Sequence, residues 1–549
     1  MNDTHTPSET DSIIRRALLP LAHTSRRFYL FIAALVPLLV VWGYFVVYQT
    51  QLGHGIGGGG TKGAIWGIVV ANIVHLIGIS HVGIAISATV RIMNLERYKP
   101  LARIAEIVTL VSMTAAVMNI ALDVGRIDRF LVNILLHGKI HGPFVWSCTV
   151  ITWYVIGSSI YLYLAMRRDL CLAANMIPKR RWLYRILAIG YQDTPKVRER
   201  HERSVWWSAV IILPIMVSVH SVYGYVFGLQ AGRPGWFNPI LAPYFVLGAI
   251  VSGFSAMIII AAIVRKTFPW KQFLPPRMFK GLGVFLGFVI WLYMYFLFSE
   301  ILTGQYSPPE ADNNVWSDIL WGRFAILTWC ALLGGLLIPF AALFIQGVTK
   351  RICSVALTVT AAVMCNIGLW CIRYLIVVPT FYHPHLPYRI TPYVPTLEEG
   401  IVMGGTWVFA ILFFSVLLKI VPVIELPEDT PIRTDSRFVL FPWITLPGRL
   451  KNLIIAGVTL FSVAMVVYGI STWQGDYAPL KWLTGIGLIC IVPLLISVLI
   501  PREECARPPS FPRAHARQYM TSATPWHARA PRMVQDKIVA SPQAGRPPP

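Results

Sequence analysis

The stretch VHSVYGYVFGLQAGRPGWFNPILAPYFVLGAIVSGFS, residues 219–255, decides how the chain reads. It holds an apolar run carrying His220, a turn of Gly, Pro and Arg (AGRPGW), and a second apolar run studded with Gly and Ser. This is the pattern of two membrane helices joined by a short turn. His220 falls near the middle of the first helix, where an ionisable side chain is costly and marks function by default. Tyr223, Gly224 and Phe227 share its face at i+3, i+4 and i+7. Pro214 lies about a turn and a half earlier. Proline and glycine so close together free backbone groups that protein or water must satisfy, which points to a cavity. The structural alternative is a satisfied core histidine between helices.

Working outward, the composition is that of an all-α polytopic membrane protein: 549 residues, 56% hydrophobic, 13% charged, mean hydropathy +0.61. Core spans are expected at roughly 29–50, 64–92, 102–124, 144–166, 204–230, 238–264, 279–303, 322–346, 352–378 and 399–421, with two more at about 452–472 and 480–500. The chain then divides into a cytoplasmic N-terminal tail (1–28), a transmembrane core (29–422), a C-terminal extension (423–501) and a basic, Pro-rich cytoplasmic tail (502–549). A net charge of +22 resembles a nucleic-acid binder only until the charges are placed. With the N-terminus inside, 38 of the 47 Lys/Arg fall in inner loops and tails, seven in outer loops, and Arg323 and Arg373 within spans. That bias sets both termini in the cytoplasm. The basic excess reports affinity for anionic lipid and no nucleic-acid partner.

Eight cysteines are scattered without a CxxC or CxxCH, so no iron–sulfur cluster, covalent haem or other metal site is expected in this chain. Residues 1–24 are polar and read as loose. Arg26-Arg27 looks like a twin-arginine signal, but the apolar run after it is too long and lacks a small-residue cleavage site. Gly57 to Gly60 lack the Lys-Ser/Thr of a phosphate loop and read as a flexible connection.

The remaining titratable groups are placed by periodicity. His75 and His81 in the second span are about 240° apart round the helix and face different ways. The third span carries a polar stripe, Ser112, Ala116, Asn119, Asp123 and Arg126; a helix-end ion pair between the last two is the simpler alternative. Glu106 lies at the inner end on another face, where snorkelling would account for it. The loop 167–203, with ten Lys/Arg, reads as a solvated surface with an amphipathic piece near Trp182 to Ile189. Tyr293, Phe296 and Glu300 share one face of the seventh span, and Asn366, Trp370 and Arg373 one face of the ninth. Asp123, Arg126, Glu300 and Arg373 come from three spans and all lie toward the outer leaflet, with His220 slightly deeper and His81 deeper still. Buried charges cluster because each needs a partner, so one polar pocket open to the outer leaflet is expected.

Six motifs in order now carry a resemblance: GISHVGIAISA (78–88), DVGR (123–126), VHSVYGYVFG (219–228), APYFVLGAIVSG (242–253), MYFLFSE (294–300) and NIGLWCIRYLIVV (366–378). Over about residues 30–422 the chain resembles the NrfD-type membrane subunits of polysulfide reductase and its relatives. It is most similar to ten-span members such as those of alternative complex III and of sulfite-reduction-associated complexes. The resemblance implies two four-helix bundles plus additional spans, binding quinone or quinol (menaquinone or ubiquinone). It also implies docking on an extracytoplasmic ferredoxin-like iron–sulfur subunit, with a molybdopterin or multihaem cytochrome subunit beyond. Two departures stand out. Alternative complex III relatives have His where this chain has Asp123, and an Asp six residues after the span-five His where this chain has Val226.

The expected function is electron exchange between the quinone pool and that partner in a respiratory complex, with proton translocation as an added expectation. Quinol oxidation releases protons to a base within hydrogen-bond reach. His220 and Asp123 are the candidate bases, and Glu300 a second base or proton exit. Arg126 and Arg373 are electrostatic partners, Tyr223, Tyr225 and Phe227 walls of the ring pocket, and His81 and Glu106 an inner proton half-path. The rivals are a haem b cytochrome ligated by His75 and His220, an ion-coupled secondary transporter, and an anchor whose polar cluster only staples helices.

Overall fold

The computed structural model describes residues 7–53, 65–139, 142–188, 191, 193–306, 309–349, 353–385, 393–426 and 448–471. Among these, ordered structure is entirely helical. In chain order the helices are α1 (Pro7–Ala22), α2 (Arg26–Leu52), α3 (Ile68–Ile92), α4 (Lys99–Val124), α5 (Ile127–His137), α6 (Pro143–Met176), α7 (Arg181–Ala188) and α8 (Pro195–Gly228). They continue as α9 (Leu241–Thr267), α10 (Pro276–Gln305), α11 (Glu310–Leu320), α12 (Ala325–Trp329), α13 (Ile338–Val348), α14 (Val355–Val377), α15 (Leu397–Ile420) and α16 (Gly448–Ser471). Among the described residues ten spans are long and apolar enough to cross a membrane, as the hydropathy pattern requires. The eighth consists of α12, a π-helical turn over Cys330–Leu337, and α13. There Gly335 and Gly368 of α14 meet so closely that a Cβ on either would lie 2.5 Å from the other's Cα. This small-residue crossing lets the two backbones touch.

The axis of the molecule is α3, packed against α4, α8, α9, α14 and α15. Apolar residues occur round its whole circumference, which is the pattern of a helix buried on nearly every side. The first bundle is built on α3, α4, α6 and α8; the second on α9, α10, α12–α13 and α14. Outside the first bundle, α15 packs on α4 and carries α2, whose Trp42 seats over Gly405 and donates Nε1 to the Val402 carbonyl at 3.0 Å. The chain direction defines two ends of the bundle. At the Asp123 end lie the C-termini of α4, α8 and α10. At the opposite, Glu425 end lies the segment after α15.

Four segments differ from the sequence expectation. Residues 7–22 are helical: α1 buries Ile14, Ala17, Leu18 and Leu21 against the Glu425 end. Trp270 Nε1 donates to the Arg16 carbonyl, and Lys419 Nζ caps the helix by donating to the Pro20 and His23 carbonyls at 3.1 and 2.9 Å. The polar composition of this segment hides an apolar face of four residues. The expected solvated loop 167–203 is largely helix, because α6 runs on to Met176 and α8 begins at Pro195. Two further helices, α5 and α11, lie at the Asp123 end where loops were expected. Of the two C-terminal spans, α16 covers most of the first; the second, the tail after it and the four-glycine run lie outside the described residues.

Candidate functional site

The titratable side chains fall into three groups. The first surrounds His220, which α8 holds at 0% exposure with neither ring nitrogen hydrogen-bonded among the described residues. Its ring packs edge-on against His81 of α3 at 4.3 Å between centroids, and against Phe245 of α9 at 6.3 Å. His81 Nδ1 lies 2.7 Å from the Ile77 carbonyl and Nε2 2.7 Å from the Met216 carbonyl. A neutral imidazole has one N–H and satisfies only one of these two acceptors. On the far side of Phe245, the Arg373 guanidinium lies 4.6 Å from the ring centroid. Arg373 is buried, and its two terminal nitrogens have no hydrogen-bond partner among the described residues. It fits because Gly248 has no side chain: a Cβ there would collide with the guanidinium. Beyond it, Tyr293 donates its hydroxyl to Tyr244 at 2.8 Å and the rings stack at 4.8 Å. Glu300, two turns above Tyr293 on α10, is 3% exposed. Among the described residues it has no hydrogen bond and no ion pair within 4 Å.

The second group sits between α3, α4 and α15. Trp407 donates Nε1 to Asn72 Oδ1 at 2.9 Å, and its ring lies 6.3 Å from that of His75. The adjacent Thr406 accepts from Asn119 Nδ2 at 3.0 Å. Three buried polar atoms here have no partner among the described residues: Asn72 Nδ2, His75 Nδ1 and Asn119 Oδ1. Native interiors rarely leave such atoms unsatisfied, so three around one pair of side chains make this a candidate site for a polar ligand. Asp123 stands one turn beyond Asn119 on α4, half-buried. The charge that bears on it is Glu399 of α15, and it bears in turn on Tyr223 of α8. Glu399 is held by the Tyr393 hydroxyl at 2.8 Å. The other nitrogen of His75, Nε2, lies 3.2 Å from Asn366 Oδ1, and Asn366 Nδ2 donates to the Ser252 carbonyl and Ser255 Oγ of α9. Asn366 thus links the two groups, since Arg373 lies two turns along the same face of α14.

The third group lies at the Glu425 end. Arg103 of α4 pairs with Asp169 of α6 and donates to the Ala165 carbonyl at 2.7 Å. Arg91 of α3 donates to Glu425 at 3.3 Å and to the Tyr161 hydroxyl at 3.1 Å, and lies 3.6 Å from Glu106. Ser87 donates to Glu106 and lies 2.6 Å from the Tyr161 hydroxyl. Glu425 follows α15, outside the spans. Burial would push its carboxyl up, but Arg91, Arg103 and Lys99 together outweigh burial and hold it below the ordinary 4.5.

The expected single pocket is therefore two groups joined through Asn366. Asp123 stands with Glu399 and Tyr223, whereas Glu300 and Arg373 stand with Tyr244, Tyr293 and His220. Arg126 follows the end of α4 and caps α5. Tyr225 is 39% exposed; Phe227 is buried, but against Trp66, Trp236 and Phe245. Glu106 does not snorkel: it is a buried member of the ion cluster. His75 and His220 have separate neighbours, Asn366 and Trp407 for one, His81 and Phe245 for the other. Sequence reasoning passed over Asn72, Glu399, Thr406 and Trp407. The i, i+3 pair of Asn72 and His75 on α3 was the available signal.

The family model for polysulphide reductase, NrfD, matches residues 59–384, more than half of the chain. The chain belongs to the NrfD polysulphide reductase family. The match begins just before α3 and ends just after α14, so it takes in both bundles and leaves α2 and α15 outside. Three curated relatives are similar to this NrfD-family chain. A putative membrane subunit of dimethyl sulfoxide reductase from Halobacterium salinarum is 28% identical over 66% of this chain and 79% of its own length. A selenate reductase subunit from Mesobacillus selenatarsenatis is 23% identical over 67% and 88%. An Hdr-like menaquinol oxidoreductase integral membrane subunit from Archaeoglobus fulgidus is 26% identical over 56% and 69%. Each of the three is one subunit of a larger oxidoreductase.

Proposed function

We propose that this NrfD-family chain is the quinone-interacting membrane subunit of a multi-subunit oxidoreductase. It exchanges electrons between the quinone pool and an iron–sulfur partner docked at the Asp123 end, which faces away from the cytoplasm. The observation that carries the reading is the trio of unsatisfied atoms on Asn72, His75 and Asn119 beneath the half-buried Asp123. A quinone head offers two carbonyl oxygens and, when reduced, two hydroxyls. Asn72 Nδ2 is a donor and Asn119 Oδ1 an acceptor; His75 Nε2 donates to Asn366 Oδ1, so Nδ1 of the neutral ring accepts, and the set offers a donor to a quinone carbonyl and acceptors to quinol hydroxyls. The menaquinol named for the Archaeoglobus relative supports the same ligand class.

In this reading Asn72 and His75 orient the head, Tyr223 walls it, and Asp123 takes the proton released on oxidation. A carboxylate half-buried at the end of α4 is placed to pass that proton outward, with Glu399 and Tyr393 beside it. The His220–His81 pair and Arg373 form a second polar tier reached through Asn366. His81, with two acceptors and one neutral N–H, is the group there suited to relay a proton inward. Between Ser80 and Ser87 the side-chain chain is interrupted for about two turns of α3, so an inner half-path to Glu106 needs water across that gap. The quinone supplies the two-electron, two-proton chemistry. A molybdopterin or multihaem subunit beyond the iron–sulfur partner, the inner membrane as the location, and proton translocation belong to the same proposal.

The test is Asp123→Asn and His75→Gln in the purified complex. Loss of a positioned base lowers quinol turnover about 100-fold or more, with assembly and heat stability kept and bound quinone reduced in His75→Gln. Loss of assembly, with normal turnover in whatever complex remains, would sink the reading and leave the polar groups as helix staples.

A further inference from the structure

At the Asp123 end of the second bundle a cavity of about 50 Å³ lies under α11. Its lining is mostly apolar: Trp236, Leu297, Ile301, Val315, Ile319 and Leu332 are among its walls. Two polar side chains stand out, Glu300 and Thr328. Both are 3% exposed, and Thr328 Oγ1 has no hydrogen-bond partner among the described residues. Glu300 is likewise without a hydrogen bond among them. A buried carboxyl and a buried hydroxyl without a hydrogen bond among the described residues, lining one space, ask for a ligand. The space decides which. One water needs about 10–15 Å³ on this measure and two to four polar partners, so the cavity takes a few waters and is far too small for a quinone ring.

The roof of the space is α11. Val315 and Ile319 point down into it, and Trp316 seats on Gly304 at the end of α10, where a Cβ would collide with the indole. Few fastenings hold the roof. Asp312 accepts from the amide of Gly235, a residue at φ +77 in the AGRPGW turn. Asp318 accepts from the Arg323 amide at 2.8 Å and pairs with His383 Nε2 at 3.1 Å. The Asp318–His383 contact is a side-chain clasp from α11 to the segment that follows α14.

We propose that Glu300 and Thr328 hold a small water cluster, and that α11 is a lid on it, fastened by the Asp318–His383 clasp. Opening the lid connects Glu300 to the aqueous phase at the Asp123 end. Glu300 then exchanges protons with water and makes no contact with the quinone. The inference stands on the cavity and its roof alone and survives if the quinone site proves to be elsewhere.

The test is X-ray radiolytic footprinting of the full chain in its complex, with H₂¹⁸O as the probe. Radicals formed from trapped water mark the side chains beside it. The expected result is early oxidation of the buried Tyr244, with slow uptake of ¹⁸O from bulk water. In Asp318→Asn and His383→Gln that uptake rises about tenfold, the order by which losing one hydrogen bond to a charged group shifts a closing equilibrium. Thr328→Val lowers the oxidation of Tyr244. Asp318 also caps the turn after α11, so His383→Gln carries the test should Asp318→Asn fail to assemble. Unmodified Tyr244 in wild type would show a dry cavity and overturn the proposal. Label uptake unchanged in His383→Gln would overturn the lid.

Discussion

Replacing Arg103 by Met asks how far the ion cluster at the Glu425 end holds the first bundle together. Arg103 is fully buried, and its guanidinium touches Asp169, the Ala165 carbonyl and, at 4.0 Å, Glu425. Within the cluster Arg91 and Arg103, with Arg168 at 3.9 Å from Asp169, face three carboxylates: Glu106, Asp169 and Glu425. Arg103→Met removes one cation of three and leaves a buried carboxylate without its main partner. Breaking a buried pair from one side costs about 3–5 kcal/mol, because the stranded charge keeps its desolvation penalty. Taking both charges away in Arg103→Met/Asp169→Leu removes that penalty. The double variant should recover at least about 2 kcal/mol, a coupling of the size neighbouring groups show. The assay is reversible unfolding in mixed micelles, with helix content and Trp fluorescence followed together across wild type, both single variants and the double. A double variant no more stable than Arg103→Met would refute the reasoning, since the cost would then come from lost packing of the long side chain and not from the stranded charge.

Three further outcomes follow from the same geometry. Gly248→Ala puts a methyl where the Arg373 guanidinium lies, so quinol turnover should fall while the complex still assembles; Gly248→Ala with unchanged turnover would detach Arg373 from function. Glu425, held below its ordinary value in the folded protein, stabilises fully above pH 4.5, and that contribution is lost as pH falls through its folded value. Unfolding midpoints should therefore drop more steeply with acid in wild type than in Glu425→Gln, and parallel curves would contradict this. Deleting residues 1–24 uncovers Trp270 and frees Lys419, so protease cleavage between α9 and α10 should speed up severalfold, measured on inside-out vesicles.

The sequence by itself determined the number and order of the core spans, because a bilayer demands about twenty apolar residues per crossing and nothing subtler. It also determined the family, through motifs such as VHSVYGYVFG that lie at the helix contacts. Periodicity placed His75 and His81 on different faces, and the structure sends them to different neighbours, Trp407 and His220. Tertiary structure alone decided who partners whom. Asp123 and Arg373 look alike in sequence, each a charge near the same end of a span, yet α15 brings Glu399 to one and the bare Gly248 brings Phe245 to the other. Glu106 reads as an interfacial charge, and Asp169 falls in a stretch that reads as a solvated loop, because a single helix shows no partner for either. Their burial depends on Arg91 and Arg103, which come from different helices. A polar group's cost in an apolar medium is set by what stands opposite it, and that is a property of packing, which no single helix carries in its own sequence.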